Sequence, residues 1–259
     1  KNFKLKKIIS NKLMSDIHGI DVNRDYLISV LTCKDTIVFT DFDGKIINHF
    51  TINKNLKIVK EKNIEKIDWR FVSKQFRGST GFFHFNYVFQ KNKTELWLTS
   101  RNLNSFVVVN LKVMKAELRM MNLYSPVLVH DGFHYKNKIY LTSIDGKILI
   151  ANNNKNEVQK TAEKVRNYKI YNKDLNCEII RLDKKLIGKD PNWCRGIKVK
   201  NNIAYVLIDG RYDTKLRFSL LEIDIKKKKL VNKVHYDWKK VEKKEKEIRY
   251  CSGFDLITI

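Results

Sequence analysis

Apolar and polar residues alternate with a period of two along most of the chain. Short β-branched and aromatic runs recur at 27–32, 36–40, 45–50, 95–100, 105–110, 138–143, 147–151, 203–208 and 218–223, each bounded by polar turns. This is the spacing of half-buried strands. Several turns carry Asp-Gly, as in Asp43-Gly44, Asp145-Gly146 and Asp209-Gly210, a pair that tolerates the positive φ of tight hairpins. Sustained helical spacing is nearly absent, and only 158–165 and 238–248 read as short helices. The pattern predicts an all-β chain.

A longer period lies over the strands. Five segments share one grammar of two special residues, then Gly or Asn, then an alternating run. They read IHGIDV from Ile17, HFNYVF from His84, HDGFHY from His130, CRGIKV from Cys194 and CSGFDL from Cys251. The first four are soon followed by a second run: LISVLT, LWLTS, IYLTS and AYVLID. The third position holds Gly19, Asn86, Gly132, Gly196 and Gly253, four of the ten glycines in the chain. Gly and Asn both tolerate positive φ, so the column predicts a tight turn where each strand begins.

The third positions are spaced 67, 46, 64 and 57 residues apart. A four-stranded propeller blade takes about 40–50 residues. The repeat therefore predicts a single β-propeller domain over 1–259, five-bladed, with insertions after the first, third and fourth units. Between Gly253 and Gly19, counted through the termini, only 25 residues remain. The closing blade is thus expected to be thin, completed by an N-terminal strand at 3–9, or truncated. A β-sandwich or jelly roll is the structural alternative.

This grammar, Gly-hydrophobic-x-hydrophobic followed by strand, turn and strand, resembles that of the NHL-repeat and gluconolactonase-like propellers over most of the chain. The acidic and Asn set that holds a divalent cation in gluconolactonase-type enzymes has no counterpart at matching positions, so their lactonase chemistry is not implied. The His-x-Asn, His-Asp-Gly and Trp-Cys-Arg-Gly signatures resemble an uncharacterised bacterial propeller group, which implies a fold and no reaction.

In a propeller the innermost strands line one channel, so residues that begin them meet at one end of it. The first column reads Ile17, His84, His130, Cys194 and Cys251; the second reads His18, Phe85, Asp131, Arg195 and Ser252. Three of the six histidines and two of the four cysteines fall in these ten places. Such nitrogen and sulfur donors suit a divalent transition metal, Zn, Cu or Fe. The expected ligands are His84, His130 and Cys194, with Cys251 as a fourth. His18 or Asp131 would move a proton, and Arg195 would present its planar fork to an anionic group of a small substrate. Against this stand a buried thiol, backbone-capping histidines and an Asp–Arg structural ion pair. His49, His134 and His235 read as surface or packing residues. The basic and aromatic stretch from Trp69 to Phe85 reads as core packing ahead of base stacking. No Gly-rich phosphate loop, G-x-S-x-G elbow or H-E-x-x-H occurs, which removes support for the corresponding nucleotide-binding, serine-hydrolase and zincin chemistries.

Charge widens the choice of partner. The formal net charge is +24, which favours polyanions such as nucleic acid, acidic glycans or acidic proteins. The excess is lysine, 41 against 11 arginines, beside 25 asparagines, a bias that A/T-rich codons also produce. A non-enzymatic scaffold that binds an acidic partner is therefore the competing class. No apolar run approaches the length of a spanning helix. With no C-x-x-C pair and no signal peptide, the four cysteines are expected as thiols in a cytoplasmic protein.

Overall fold

The computed structural model describes residues 8–60, 66–69, 81–120, 129–152, 177–182, 194–209 and 217–237. Seventeen strands and one short 3-10 turn (Thr32–Lys34) make up their regular structure, so the chain is all-β as expected. The expected helices at 158–165 and 238–248 lie outside the described residues.

The strands form four antiparallel meanders in chain order. The first blade is β1 (Ile17–Val22), β2 (Leu27–Leu31), β3 (Thr36–Thr40), β4 (Ile46–Ile52) and a short β5 (Ile58–Val59). The second is β6 (Phe85–Asn92), β7 (Glu95–Ser100), β8 (Ser105–Asn110) and β9 (Lys115–Met120). The third is β10 (Val129–Tyr135), β11 (Lys138–Ser143), β12 (Lys147–Asn152) and β13 (Cys177–Arg181). The fourth is β14 (Cys194–Lys200), β15 (Ile203–Asp209), β16 (Arg217–Asp224) and β17 (Lys229–Asp237). The four motif segments within the described residues coincide with, or begin, the first strand of a blade. These first strands pack against one another in succession, β1 on β6, β6 on β10 and β10 on β14. Serial meanders joined at their first strands are a β-propeller, and a two-sheet sandwich is set aside.

Each layer between blades has its own core. Ile28, Val30, Ile37 and Phe50 face Val88, Leu96 and Leu98 between blades one and two. Phe89, Trp97 and Phe106 meet Ile139, Leu141 and Leu149 between two and three. Ile148, Ile150 and Ile180 meet Ile197, Val206 and Leu221 between three and four. Full burial of each such side chain is worth about 1.5–3 kcal/mol, so the blades are held mainly by face-to-face apolar packing. The segment after Trp69 follows its packing reading where described, with Phe83 and Phe85 stacked at 5.1 Å inside the first layer.

Candidate functional site

One backbone irregularity recurs where each blade begins. In β1 the pairing steps from Ile17↔Leu31 to Gly19↔Val30, leaving His18 as an extra residue. In β6 it steps from Phe85↔Ser100 to Tyr87↔Thr99, leaving Asn86. In β10, His130 and Asp131 share the place opposite Thr142. In β14, Arg195 and Gly196 share the place opposite Leu207. A bulge bends its strand and re-aims the side chain that falls out of the ladder. Each of these four inner strands is thus bulged within the first three positions of the motif, at the axis.

The glycine column has a different cause from the one expected. Gly19 and Gly132 are not among the positive-φ residues. A Cβ on Gly19 would lie 2.9 Å from the Asn86 carbonyl oxygen and 2.9 Å from Tyr87 Cα; on Gly132 it would lie 2.8 Å from Tyr87 Cδ1. These positions need glycine because the neighbouring inner strand lies directly against them. The left-handed residue is instead His84, at φ 51, a conformation in which histidine is over-represented.

A second periodic contact joins the blades. Thr32 donates its hydroxyl to the Phe85 carbonyl, Thr99 to the His130 carbonyl at 3.5 Å, and Thr142 to the Arg195 carbonyl. In each case a threonine at the end region of the second strand, or just past it, holds the motif backbone of the next blade. The fourth blade has Ile208 at the equivalent place.

On this frame His18, His84, His130 and Arg195 converge, as the motif requires. The His18 and His84 rings meet edge to face with centroids 5.6 Å apart. Arg195 donates from Nη1 to His130 Nε2 at 3.1 Å. Arginine has only hydrogens to give, so that imidazole nitrogen is the acceptor and the ring proton sits on Nδ1. Exposure falls inward, from 20% for the His18 side chain to 8% for His84, 4% for His130 and 3% for Arg195. Burial, then the nearby Arg101 and His18, lower the His84 pKa to about 4. Burial, then Arg195, His18, Arg101 and His84, hold His130 well below the ordinary histidine value. The same basic groups recur in both cases because they occupy one place. Both imidazoles are neutral at pH 7, inside a positive field.

Three participants were not singled out for this site from the sequence. Arg101 follows β7, its backbone N–H donates to the His84 carbonyl at 3.3 Å, and its Nε is buried with no hydrogen-bond partner. Its place directly after LTS, at the motif end of the paired strand, was the available signal. Asp16 fixes His18: Nδ1 donates to the Asp16 carbonyl oxygen at 3.1 Å, and the Asp16 carboxylate lies 3.5 Å from the same nitrogen. Asp35, at φ 48, accepts the Phe83 N–H on Oδ2 at 2.9 Å, while Gly81 packs on its carboxyl group. Burial raises its pKa to about 7, against the backbone N–H groups of the segment that delivers His84. No sequence pattern marked Asp16 or Asp35.

The remaining candidates are placed differently. Asp131 accepts the N–H of Gly132 at 2.8 Å and of Ile197 at 3.2 Å, joining β10 to β14. Cys194 is fully buried within the apolar core between blades three and four, and burial pushes its thiol far up, away from thiolate. Cys251 lies outside the described residues. Among the described residues no three His, Cys, Asp or Glu side chains are grouped to hold a metal ion. His130 Nε2 faces the Arg195 guanidinium and the Cys194 side chain lies in the core between blades three and four, so His84, His130 and Cys194 are not brought together as one ligand set. Among the described residues, no helix is long and apolar enough to cross a membrane.

No family model matches the chain, and no curated protein matches it. Solved structures do. A protein of unknown function from Bacteroides caccae superposes with a TM-score of 0.54 at 10% identity, over 85% of this chain and 67% of that one. Virginiamycin B lyase from Staphylococcus aureus gives 0.45 at 10% identity, over 85% and 69%. Glutaminyl cyclase from Myxococcus xanthus gives 0.49 at 8% identity, over 87% and 72%. At such identities the Bacteroides caccae likeness is one of fold alone, and the chain is placed among propellers by its own serial blades.

Proposed function

We propose that the motif end of the channel binds a small anionic molecule, with Arg101 and Arg195 as the anion-holding groups and His18 as the group that moves a proton. The observation that carries this reading is the convergence at the motif end of two arginines and three histidines, with His18, His130 and Arg195 at bulges of inner strands, His84 just before β6 and Arg101 just after β7. A carboxylate or phosphate at Arg101 would supply the acceptor that its buried Nε lacks. Arg195 would add a second cation from the floor, and a fixed guanidinium fork favours planar, bidentate partners. His18 suits proton transfer because its Nδ1–H is committed to Asp16, which turns Nε2 away from that anchor as the basic atom. Asp131 is given a structural role, since its oxygens accept backbone N–H groups of two blades. The ring itself is proposed as five-bladed and NHL-like, because CSGFDL at 251–256 repeats the grammar of the four inner strands.

A thermal-shift and calorimetric panel of small mono- and dicarboxylates and phosphate monoesters tests the reading. Binding weakened at least tenfold by Arg101→Gln, with the fold intact by circular dichroism, supports it. If no member of either class binds the wild-type protein, the reading fails.

A further inference from the structure

The inner strands have a second end, and its chemistry differs from the first. In β10 the site residues His130 and Asp131 begin the strand, and Tyr135 ends it about 15 Å further along. The Lys136–Asn137 turn follows, both residues at positive φ, then Lys138. In β14 Arg195 begins the strand and Lys200 ends it, before an Asn201–Asn202 turn that is also left-handed at both residues. Two consecutive left-handed residues are the geometry of the tight hairpin, which holds its flanking side chains at fixed positions. The sequences YKNKIY and IKVKNNIAY that form these ends contain no acidic residue.

Aromatic rings lie between the lysines. Phe133 and Tyr135 are stacked at 6.3 Å with planes 15° apart, and both are half-buried, so part of each ring reaches solvent. Lys136 lies over the Tyr135 ring at 5.2 Å and Lys198 over the Phe133 ring at 4.9 Å. Lys136, Lys138 and Lys200 are exposed.

We infer that this end of the channel, formed by Phe133, Tyr135, Lys136, Lys138, Lys198 and Lys200, is a binding surface for single-stranded nucleic acid. Lysines at fixed spacing meet successive phosphates as point charges. Once Lys136 and Lys198 leave the ring faces for phosphates, the half-buried aromatic pair offers a platform on which unpaired bases stack, a sequence-tolerant contact because every base has a π-face. Neither an anionic membrane surface nor a sulfated glycan presents a flat π-face to these rings, so the aromatic component favours nucleic acid. The patch contains no arginine, the usual bidentate reader of base edges, and binding is accordingly expected to show little sequence preference. It stands apart from the small-anion site, at the other end of the same strands.

Fluorescence anisotropy of the full chain with a labelled oligothymidylate of about 20 nucleotides tests the inference. Affinity should fall steeply between low and physiological salt, and reversal of Lys136, Lys138 and Lys200 to Glu should reduce the salt slope by about 0.7 for each phosphate of the single strand that is no longer neutralised. Tyr135→Leu, which keeps apolar packing and removes the stacking face, should weaken binding about tenfold. A Tyr135→Leu protein that binds as tightly as wild type overturns the proposal and leaves a general polyanion surface. Absence of oligonucleotide binding overturns it too. So does tighter association with phosphatidylcholine vesicles containing phosphatidylserine than with the oligonucleotide, the result a membrane-facing patch would give.

Discussion

His18 and His130 both stand at the bulge that opens a blade, in blades one and three, yet the protein treats them as opposites. His18 is one-fifth exposed, and its Nδ1 is anchored to the backbone and carboxylate of its neighbour Asp16. His130 is almost fully buried, and its Nε2 is committed to the Arg195 guanidinium of the next blade. Position in the repeat decides where a ring goes; the group on the adjacent blade decides what it can do. One imidazole is anchored within its own blade and partly exposed, while the other is a fixed acceptor that holds a buried cation in place.

The largest expected effect separates the two directly. His130→Ala removes an acceptor from a buried guanidinium and should cost about 3 kcal/mol in chemical denaturation. His18→Gln should stay within about 0.5 kcal/mol of wild type while removing the proton-transfer group. Equal losses would mean that the two rings are both structural. Gly19→Ala and Gly132→Ala probe the same blades through the backbone. Each should cost about 1–3 kcal/mol from overpacking, and Gly19→Ala should cost more, because its added Cβ meets backbone atoms of Asn86 and Tyr87. Near-neutral melting temperatures for both would remove close strand approach as the cause of the column.

Acidity gives a third probe. Burial raises Asp35 from 3.8 to about 7, so between those values the folded protein keeps a proton that the unfolded chain has released, and stability falls as pH rises. His84 acts in reverse: lowered from 6.5 to about 4, it causes stability to fall as pH drops through that window. The two oppose each other in the wild type. In Asp35→Asn the lowered histidines, His84 and His130, act unopposed by it, so the melting temperature should climb more steeply from pH 4 to 6.5 than in the parent; parallel profiles would refute the assignment. The smallest effect belongs to the inter-blade threonines. Thr142→Val, which keeps the shape and removes the hydroxyl, should cost about 1 kcal/mol in chemical denaturation.

Much of this was legible in the sequence because strand alternation and a repeated motif are local signals. The runs at 36–40, 95–100, 105–110 and 138–143 match β3, β7, β8 and β11 residue for residue. The outermost strands β9, β13 and β17 were not among the runs read: CEIIR and KLVNKVHYD lose the clean alternation on an edge with one open side, whereas KAELRM keeps it and was legible. At the site, the motif led to His18, His84, His130 and Arg195, which its repeat brings together. Arg101, Asp16 and Asp35 belong to turns, outside the repeat, and their roles arise only where the chain folds back on them. Cys194 shows the converse: it holds a motif position, but as the first ladder-paired residue of β14 its thiol enters the core.

The bulge has a consequence for how such a protein can diversify. Side chains paired in a ladder are coupled to their opposite partners, and a change there disturbs the packing of a whole face. Residues displaced from the ladder escape that coupling, so His, Asn, Asp and Arg can stand at equivalent places of one repeat without altering the strands beside them. The inner ring therefore separates inheritance of shape from inheritance of chemistry. The blades can drift independently at one position each, and the combination displayed at the axis, more than the scaffold, is the quantity on which selection for a new ligand would act.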